Sequence, residues 1–223
     1  MKGFLTLLLF SFSILSIAQS SNPHPFKNDL KRQKLKGKVM MVTESEYNAS
    51  GDSLIWKSIT KYNDLGNQSE FNTFSASGEL LSKTTFKYND SGKLVEENRY
   101  KANGDLNVKT TCKYDDRGNK IEEDNYDPGG VLFLKILGKF DGKGNRIVKD
   151  SYNEFGSLFL KCNSKFDDDG NEAEAKEYDS HKGLKFTTTY DYDNADGQGN
   201  WLKKTTYKNN EPAAVTERQI EYH

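Results

Sequence analysis

The chain has 223 residues with 32 basic and 33 acidic side chains, so its formal net charge is −1. There is no basic excess to bind phosphate backbones, which argues against nucleic acid as a partner. Hydrophobic residues make up 34% of the chain and charged residues 29%, which is lean for a globular domain. Aromatic residues reach 12% and recur in register, so we expect an ordered fold with a thin core rather than disorder.

Residues 1–18 have the pattern of a secretory signal peptide. Lys2 precedes an apolar run that ends at Ile17, and the small residues Ser16 and Ala18 suit cleavage before Gln19. The run is shorter than the roughly 20 apolar residues of a membrane helix, although a retained N-terminal anchor is the alternative. We therefore expect an exported protein, periplasmic, on the outer surface or secreted, whose mature chain contains no membrane span.

Residues 19–37 form an N-terminal leader, which is basic between Lys27 and Lys38. Its simplest interpretation is a solvated segment. The remaining residues, 38–223, are predicted to form a single repeat domain.

Leucine, aromatic, glycine and lysine residues recur in this domain with a step of 26 residues, which is typical of a repeat architecture. Several columns in phase are not produced by chance, so this repeat is the strongest signal in the sequence. The main columns are Leu54, Leu80, Leu106, Leu132, Leu158 and Leu184; Tyr62, Tyr88, Tyr114, Phe140, Phe166 and Tyr192; Phe74, Tyr100, Tyr126, Tyr152 and Tyr178; and Lys57, Lys83, Lys109, Lys135 and Lys161.

Each repeat contains a strand with alternating polarity. Between Leu106 and Tyr114, the side chains of Val108, Thr110 and Cys112 fall on one face, and Asn, Lys and Thr fall on the other. Such alternation predicts a half-buried strand. We expect the leucine and aromatic columns to share a concave or covered face and the lysine columns to face solvent.

Turns of one type separate the strands. Most begin with Asn or Asp and end with Gly three residues later, as in Asp115 to Gly118, which is typical of a type I turn with a bulge between antiparallel strands. On the solvent face, Lys109 is expected to pair with Glu97, and Lys135 with Glu123.

The predicted fold is therefore all-β. It is an antiparallel meander of about six 26-residue hairpins that forms a twisted, curled single sheet, an open solenoid or a half-barrel. The repeat pattern slips at both ends, so Lys38–Tyr47 and Trp201–Tyr222 are predicted to be atypical caps over exposed edges.

The units beginning at Tyr62, Tyr114 and Phe140, of the form Tyr/Phe-Asp/Asn-x-x-Gly-Asn, resemble the YD repeat of RHS-repeat proteins. The short exported form also resembles small repeat proteins of Bacteroides-type bacteria. The resemblance implies a coiled β-sheet strip and supplies no catalytic residues.

Two cysteines, Cys112 and Cys162, lie 50 residues apart, which places them about four strands, or roughly 19 Å, apart in a meander. A disulfide needs Cα atoms within about 7 Å, so we expect two free, inward-facing thiols.

The sequence contains no pattern for nucleophilic or zinc chemistry, because its three histidines are far apart. Two ligand sites are considered. Aromatic residues on a secreted β-surface can stack on sugar rings, with Trp56 and Trp201 most suitable, although core packing is the first explanation of the tyrosine columns. Calcium could bind Asp-rich turns, although these turns need Asp for their own hydrogen bonds. The carboxylates concerned are Asp167, Asp168, Asp169, Asp191, Asp193 and Asp196.

These observations predict a non-enzymatic, exported repeat scaffold without a cofactor that acts as a binding module at the cell envelope. Its partner would be an unidentified protein or glycan at the cell surface. The alternative is a carbohydrate-binding protein that uses aromatic residues on the curved face of the sheet.

Overall fold

The computed structural model describes residues 27–180 and 183–223, and the predicted signal peptide lies outside these ranges. Within them, one short helix precedes fourteen antiparallel strands. The elements are α1 (Asp29–Arg32), β1 (Val39–Tyr47), β2 (Leu54–Tyr62), β3 (Gln68–Ser75), β4 (Leu80–Tyr88), β5 (Leu94–Lys101), β6 (Leu106–Tyr114), β7 (Lys120–Tyr126), β8 (Leu132–Phe140), β9 (Arg146–Asn153), β10 (Leu158–Phe166), β11 (Glu172–Asp179), β12 (Gly183–Ala195), β13 (Trp201–Lys208) and β14 (Glu211–Tyr222).

The sheet closes on itself. Each strand pairs with its sequence neighbours, and β1 also pairs with β14 to complete a 14-stranded barrel. The predicted open sheet, solenoid or half-barrel is therefore wrong. The segments predicted as edge caps form the seam instead, with pairing that runs from Val39 opposite Tyr222 to Tyr47 opposite Val215. Closure satisfies backbone groups that two free edges would leave unpaired.

The barrel has two chemically different ends. Turns that follow even-numbered strands, such as β2 and β4, lie at one end, which we call the strap end. Turns that follow odd-numbered strands lie at the other, which we call the free end. In the turn after β2, Gly66 has a φ of +75°, and a Cβ there would lie 2.5 Å from the Asn28 amide nitrogen. Glycine is therefore required at that position both for its backbone conformation and for the close approach of the N-terminal segment.

Bulges determine which face each column occupies. In the β5–β6 hairpin, Arg99 pairs with Val108 but Tyr100 pairs with Leu106, so β6 has one extra residue at this point. Paired residues share a face, and a one-residue slip moves side chains to the opposite face. Leu106 consequently joins Tyr100 on the outer wall. The prediction that the leucine column lies on the inner face is therefore wrong.

The same slip changes the outer ion pairs. Lys109 pairs with Glu96 at 2.9 Å rather than with Glu97, and Lys135 pairs with Asp124 at 2.6 Å rather than with Glu123. Alternation then places Glu97 and Glu123 on the inner face. The lysine columns face solvent, as the sequence pattern indicates.

The apolar core is small and lies at the strap end. Leu30 packs there with Val39, Val42 and Tyr62. A 14-stranded barrel is roughly 28 Å across for a strand spacing of ~4.8 Å and a tilt of ~40°, which is too wide for side chains to fill. A partly empty lumen explains why a chain with so few hydrophobic residues forms an ordered fold. The described residues contain no helix long and apolar enough to span a bilayer.

Candidate functional site

The N-terminal leader folds across one end of the barrel. Residues 27–38, which we call the strap, contain α1, and Asn28 caps this helix by accepting a hydrogen bond from the Lys31 backbone at 3.0 Å. The Leu30 backbone N–H donates to the Gly66 carbonyl at 3.0 Å, and the Asn28 amide donates to the Leu65 carbonyl at 2.7 Å. The strap is thus hydrogen-bonded to a turn and is not a solvated leader.

Asp29 anchors the strap to the barrel wall. Its buried carboxylate pairs with the Arg32 guanidinium at 2.7 Å and accepts the Gln68 backbone N–H at 2.9 Å. The Tyr88 hydroxyl donates to the same group. Burial, together with this carboxylate, raises the pKa of Tyr88 well above its usual value, so the phenol stays protonated and continues to donate.

Asn200 fastens the other end of the strap. Its side chain accepts from the Lys36 backbone N–H at 2.8 Å and donates to the Lys36 carbonyl at 2.9 Å. The Tyr222 hydroxyl donates to Asp196 in the same turn. The strap therefore spans from the β2–β3 turn to the β12–β13 turn and meets the seam through Tyr222.

A cavity of about 730 Å³ lies in the lumen beneath the strap. Nine basic but only four acidic side chains line it, although the whole chain is nearly neutral. This imbalance gives the cavity a positive potential that favours anions. The charged lining residues are Lys27, Lys31, Arg32, Lys34, Lys120, Arg146, Lys149, Lys204 and Arg218, with Asp29, Glu123, Glu172 and Glu177.

Aromatic and cationic side chains meet on the wall formed by β12, β13 and β14. The Arg218 guanidinium lies 3.3 Å from the centroid of the Trp201 ring and also donates to Glu44 at 2.7 Å. The Lys204 ammonium lies 5.6 Å from the ring centroids of both Trp201 and Tyr190. These contacts are within the range of cation–π attraction.

Lys204 is a half-buried cation of the cavity wall, beside the Tyr190 and Trp201 rings. Within residues 27–180 and 183–223, it has no carboxylate within 4.0 Å, whereas Arg146 pairs with Glu123 at 2.8 Å. Burial lowers the pKa of Lys204 and outweighs the opposing effect of nearby carboxylates, chiefly Glu44. An anion placed beside this ammonium would reverse that penalty.

A second cluster of titratable groups lies on β5, β6 and β7. Burial raises the pKa of Glu97 despite the nearby Lys120. Burial also raises the pKa of the Cys112 thiol to about 11, so this cysteine is protonated and unreactive at neutral pH. Cys112 and Cys162 are free thiols, and Cys162 lines the cavity.

The two tryptophans predicted to bind sugars both lie on the inner face. Trp201 lines the cavity, but Arg218 covers one face of its ring. Trp56 lies on β2 and is paired with Glu46, and this row continues across the strands to Thr216 and Lys204. Because Lys204 lines the cavity, Trp56 lies on the same inner face. The two tryptophan strands are therefore three strand spacings, or roughly 14 Å, apart.

The six aspartates considered for calcium are not brought together. Within the described residues, no group of three potential metal-binding side chains is found. Asp167 and Asp196 accept backbone N–H groups of their own turns, from Asn171 at 2.8 Å and Asn200 at 2.9 Å. Asp168 pairs with Lys143 and Asp169 with Lys36, while Asp191 and Asp193 lie on the central part of β12.

The strap and the basic lumen residues were missed by sequence reasoning, although one signal marks the strap end. There, five of the six turn glycines are followed by Asn, and four of these asparagines, Asn67, Asn119, Asn145 and Asn200, are buried. No turn at the free end has this Gly-Asn pair. A buried amide after a turn needs partners, and the strap provides them for Asn119 and Asn200.

Comparisons with known proteins support the fold alone. No family model and no curated protein matches the chain. A porin-like protein from Bacteroides uniformis ATCC 8492 is similar in structure, with 12% sequence identity and a TM-score of 0.51 over 83% of this chain and 99% of that protein. The Tc holotoxin pore of Photorhabdus luminescens matches 73% of this chain but only 11% of its own, with 14% identity and a TM-score of 0.23. The TcdB2-TccC3-Cdc42 structure matches 73% of this chain and 10% of its own, with 13% identity and the same TM-score.

Proposed function

We propose that the protein is an exported, non-enzymatic binding module whose barrel lumen holds a small anionic ligand. One observation carries this proposal: nine basic and four acidic side chains line a 730 Å³ cavity in a chain whose net charge is −1. Stability alone does not favour uncompensated cations near an apolar wall, because desolvation penalises their charge. A bound anion offsets that cost.

The charged outer wall indicates that the middle of the barrel is surrounded by water. Ion pairs cover the middle of the strands, including Lys83 with Glu70 at 2.6 Å and Lys109 with Glu96 at 2.9 Å. A barrel that spans a bilayer needs an apolar outer band, and charged side chains at the bilayer midplane are destabilising. We infer that the barrel acts in the aqueous part of the envelope, in keeping with the predicted signal peptide and the YD-like repeat.

Carbohydrate binding remains the alternative function. The basic lining of the lumen favours acidic sugars over neutral ones. Tyr190, Tyr192 and Trp201 supply aromatic surface, while Lys204 and Arg218 supply charge. Because Arg218 lies on the Trp201 ring, stacking of a neutral sugar on that face is blocked. A sugar carboxylate or phosphate could instead bind the Lys204 ammonium.

Calorimetric titration of the mature chain, Gln19 to His223, tests the proposal. The probes are oligogalacturonate, the matched neutral oligogalactose, and inorganic phosphate, each with and without calcium. We expect the anionic probes to bind and the neutral sugar not to bind. If neither anionic probe binds, or if oligogalactose binds equally well, the proposal is wrong.

Lys204→Gln separates ligand binding from folding. We expect anion binding to weaken by roughly ten- to a hundredfold, because one charge-assisted hydrogen bond contributes about 1.5–3 kcal/mol. Unfolding stability should stay the same or increase, since the substitution removes a desolvated charge. The matched control is Lys109→Gln on the outer wall, which should leave binding unchanged. Equal binding by wild type and Lys204→Gln would remove Lys204 from the site.

A further inference from the structure

The outer wall carries an apolar belt around the free end. In six hairpins, the last aromatic residue of one strand pairs with the first leucine of the next, and in the seventh Tyr207 pairs with Pro212. Paired residues lie on the same face of the sheet. The six aromatic–leucine pairs are Tyr47–Leu54, Phe74–Leu80, Tyr100–Leu106, Tyr126–Leu132, Tyr152–Leu158 and Tyr178–Leu184.

Lysines border this belt on the side toward the middle of the barrel. The aromatic ring that faces a leucine on one neighbouring strand faces a lysine on the other, as in Tyr126 with Lys109 and Tyr178 with Lys161. Leu158, Lys161 and Tyr178 also line an apolar surface pocket of about 400 Å³. The belt therefore combines apolar, aromatic and cationic groups in one narrow zone.

Large apolar side chains extend from this belt at the hairpins of β7–β12. Phe155 in the β9–β10 turn is 82% exposed, and Val131 in the β7–β8 turn is 60% exposed. Phe133, Phe159 and Leu184 are exposed beside them. Large exposed apolar side chains that cluster at one rim commonly mark a contact with a protein or a membrane. We call these five side chains the rim patch.

We propose that the rim patch inserts into the surface of a lipid bilayer and holds the barrel on the membrane by its free end. From the rim toward the middle of the barrel, the outer side chains are first the exposed apolar residues of the rim patch, then the aromatic–leucine pairs, and then the lysines. That order matches a membrane interface, where apolar groups enter the acyl boundary, tyrosines lie at the headgroups and lysines reach the phosphates. Three of these lysines, Lys83, Lys109 and Lys135, also pair with carboxylates of the outer wall, and these ion pairs limit the insertion to the rim.

A soluble partner protein fits the pattern less well. A protein interface depletes lysine, whereas five lysines, from Lys57 to Lys161, recur beside the aromatic rings. Asp127 and Glu154 lie in the same turns as Val131 and Phe155, so apolar insertion rather than charge should provide most of the affinity. This inference is independent of the lumen ligand, because the rim patch lies on the outer wall and the cavity lies inside the barrel.

Co-sedimentation of the mature chain with vesicles tests the proposal. The vesicles are pure phosphatidylcholine, or phosphatidylcholine with about 30% of the anionic lipid phosphatidylglycerol. We expect binding to both and tighter binding to the anionic vesicles. Phe155→Ser with Phe159→Ser should weaken binding at least tenfold, because each buried aromatic side chain contributes more than a tenfold factor when fully transferred from water.

Leu65→Ser is the matched control. Leu65 is 73% exposed in a turn at the strap end, so its removal deletes a similar apolar group from the opposite pole. It should leave vesicle binding unchanged, and circular dichroism should show both variants folded. If wild type does not bind vesicles, or if Leu65→Ser weakens binding as much as the rim double variant, the proposal is wrong. Concentration-dependent dimers that the rim variant abolishes, without vesicle binding, would assign the rim patch to self-association and overturn the lipid assignment.

Discussion

The two ends of the barrel are built from the same turn type and differ in the residue that comes directly after the turn glycine. At the strap end, this residue is usually a buried Asn, and the strap covers it. At the free end, it is Asp52, Glu79, Asp105, Val131, Ser157 or Leu184, and a Cβ on most of these turn glycines would meet nothing within 4 Å. One position in a repeated turn therefore decides whether an end is covered or open.

The two ends also differ in the role of their side chains, which stabilise the fold at the strap end and form an exposed surface at the free end. Buried side chains at the strap end have several fixed partners, so their loss should destabilise the fold. Large side chains at the free end are exposed and contact little, so their loss should affect association rather than folding. Substitutions of the same type at the two ends test this difference directly.

Asp29→Ala should have the largest effect. The carboxylate is buried and pairs with Arg32, Gln68 and Tyr88, so its removal leaves a guanidinium and two donors without their acceptor. Breaking a buried pair of this kind costs about 3 kcal/mol of unfolding free energy. Urea denaturation measures it. The control is Asp52→Ala in the exposed β1–β2 turn, which should change stability little; similar losses at both positions would contradict the comparison.

Leucine truncation should show a smaller difference of the same sign. Leu30→Ala removes a core side chain that is 8% exposed, and we expect a loss of about 2–3 kcal/mol. Leu81→Ala at the free end removes a side chain that is 52% exposed, and the expected change is below about 0.5 kcal/mol. Both variants can be compared in one series of urea melts. Equal destabilisation would mean that the strap does not form the core at that end.

The outer ion pairs should contribute least. The hydrogen bond from Lys113, with that from Lys135, lowers the pKa of Glu122 to about 2 from its usual 4.5. A carboxyl group with a lowered folded-state pKa stabilises the fold above pH 4.5 and loses this contribution as the pH falls toward 2. Because Lys113 is exposed, Glu122→Gln should cost less than about 1 kcal/mol at pH 7.

The stability difference between wild type and Glu122→Gln should therefore shrink between pH 4.5 and pH 2. Thermal melts across this range measure it, with Leu81→Ala at the free end as an uncharged control that should show no such trend. A difference that stays constant down to pH 2 would mean that the pair does not hold Glu122 ionised.

Much of the local structure could be predicted from the sequence. The alternation around Val108 and Cys112 placed the strand, and the Asp115–Gly118 pattern placed the turn. Faces near the strand ends could not be predicted, because each bulge adds one residue and reverses the alternation, as it does between Leu106 and Val108. In most hairpins the extra residue follows the turn glycine by three positions, as Asn107 follows Gly104, and the alternation of polarity alone does not reveal it.

Closure and the lumen depended on long-range contacts. A repeat of adjacent hairpins is compatible with an open or a closed sheet, and only the pairing of β1 with β14 distinguishes them. The position of the strap also depends on long-range contacts. Its basic side chains predict a solvated segment, and the buried asparagines that it contacts lie in turns far away in the sequence. Trp201 lines the cavity, but the Arg218 that covers its ring comes from another strand and could not be inferred from spacing.

Cross-linking across the seam tests closure most directly. Thr43 and Gln219 face each other across β1 and β14, and such antiparallel partners have Cα atoms about 4.5–5.5 Å apart, within disulfide range. In a chain that carries Cys112→Ser and Cys162→Ser, the pair Thr43→Cys and Gln219→Cys should oxidise to an intramolecular disulfide without loss of β-sheet signal. The control pair, Thr43→Cys with Thr111→Cys on β6, should not. Failure of the seam pair to form, or equal formation by the control pair, would contradict the closed barrel and the sheltered lumen that depends on it.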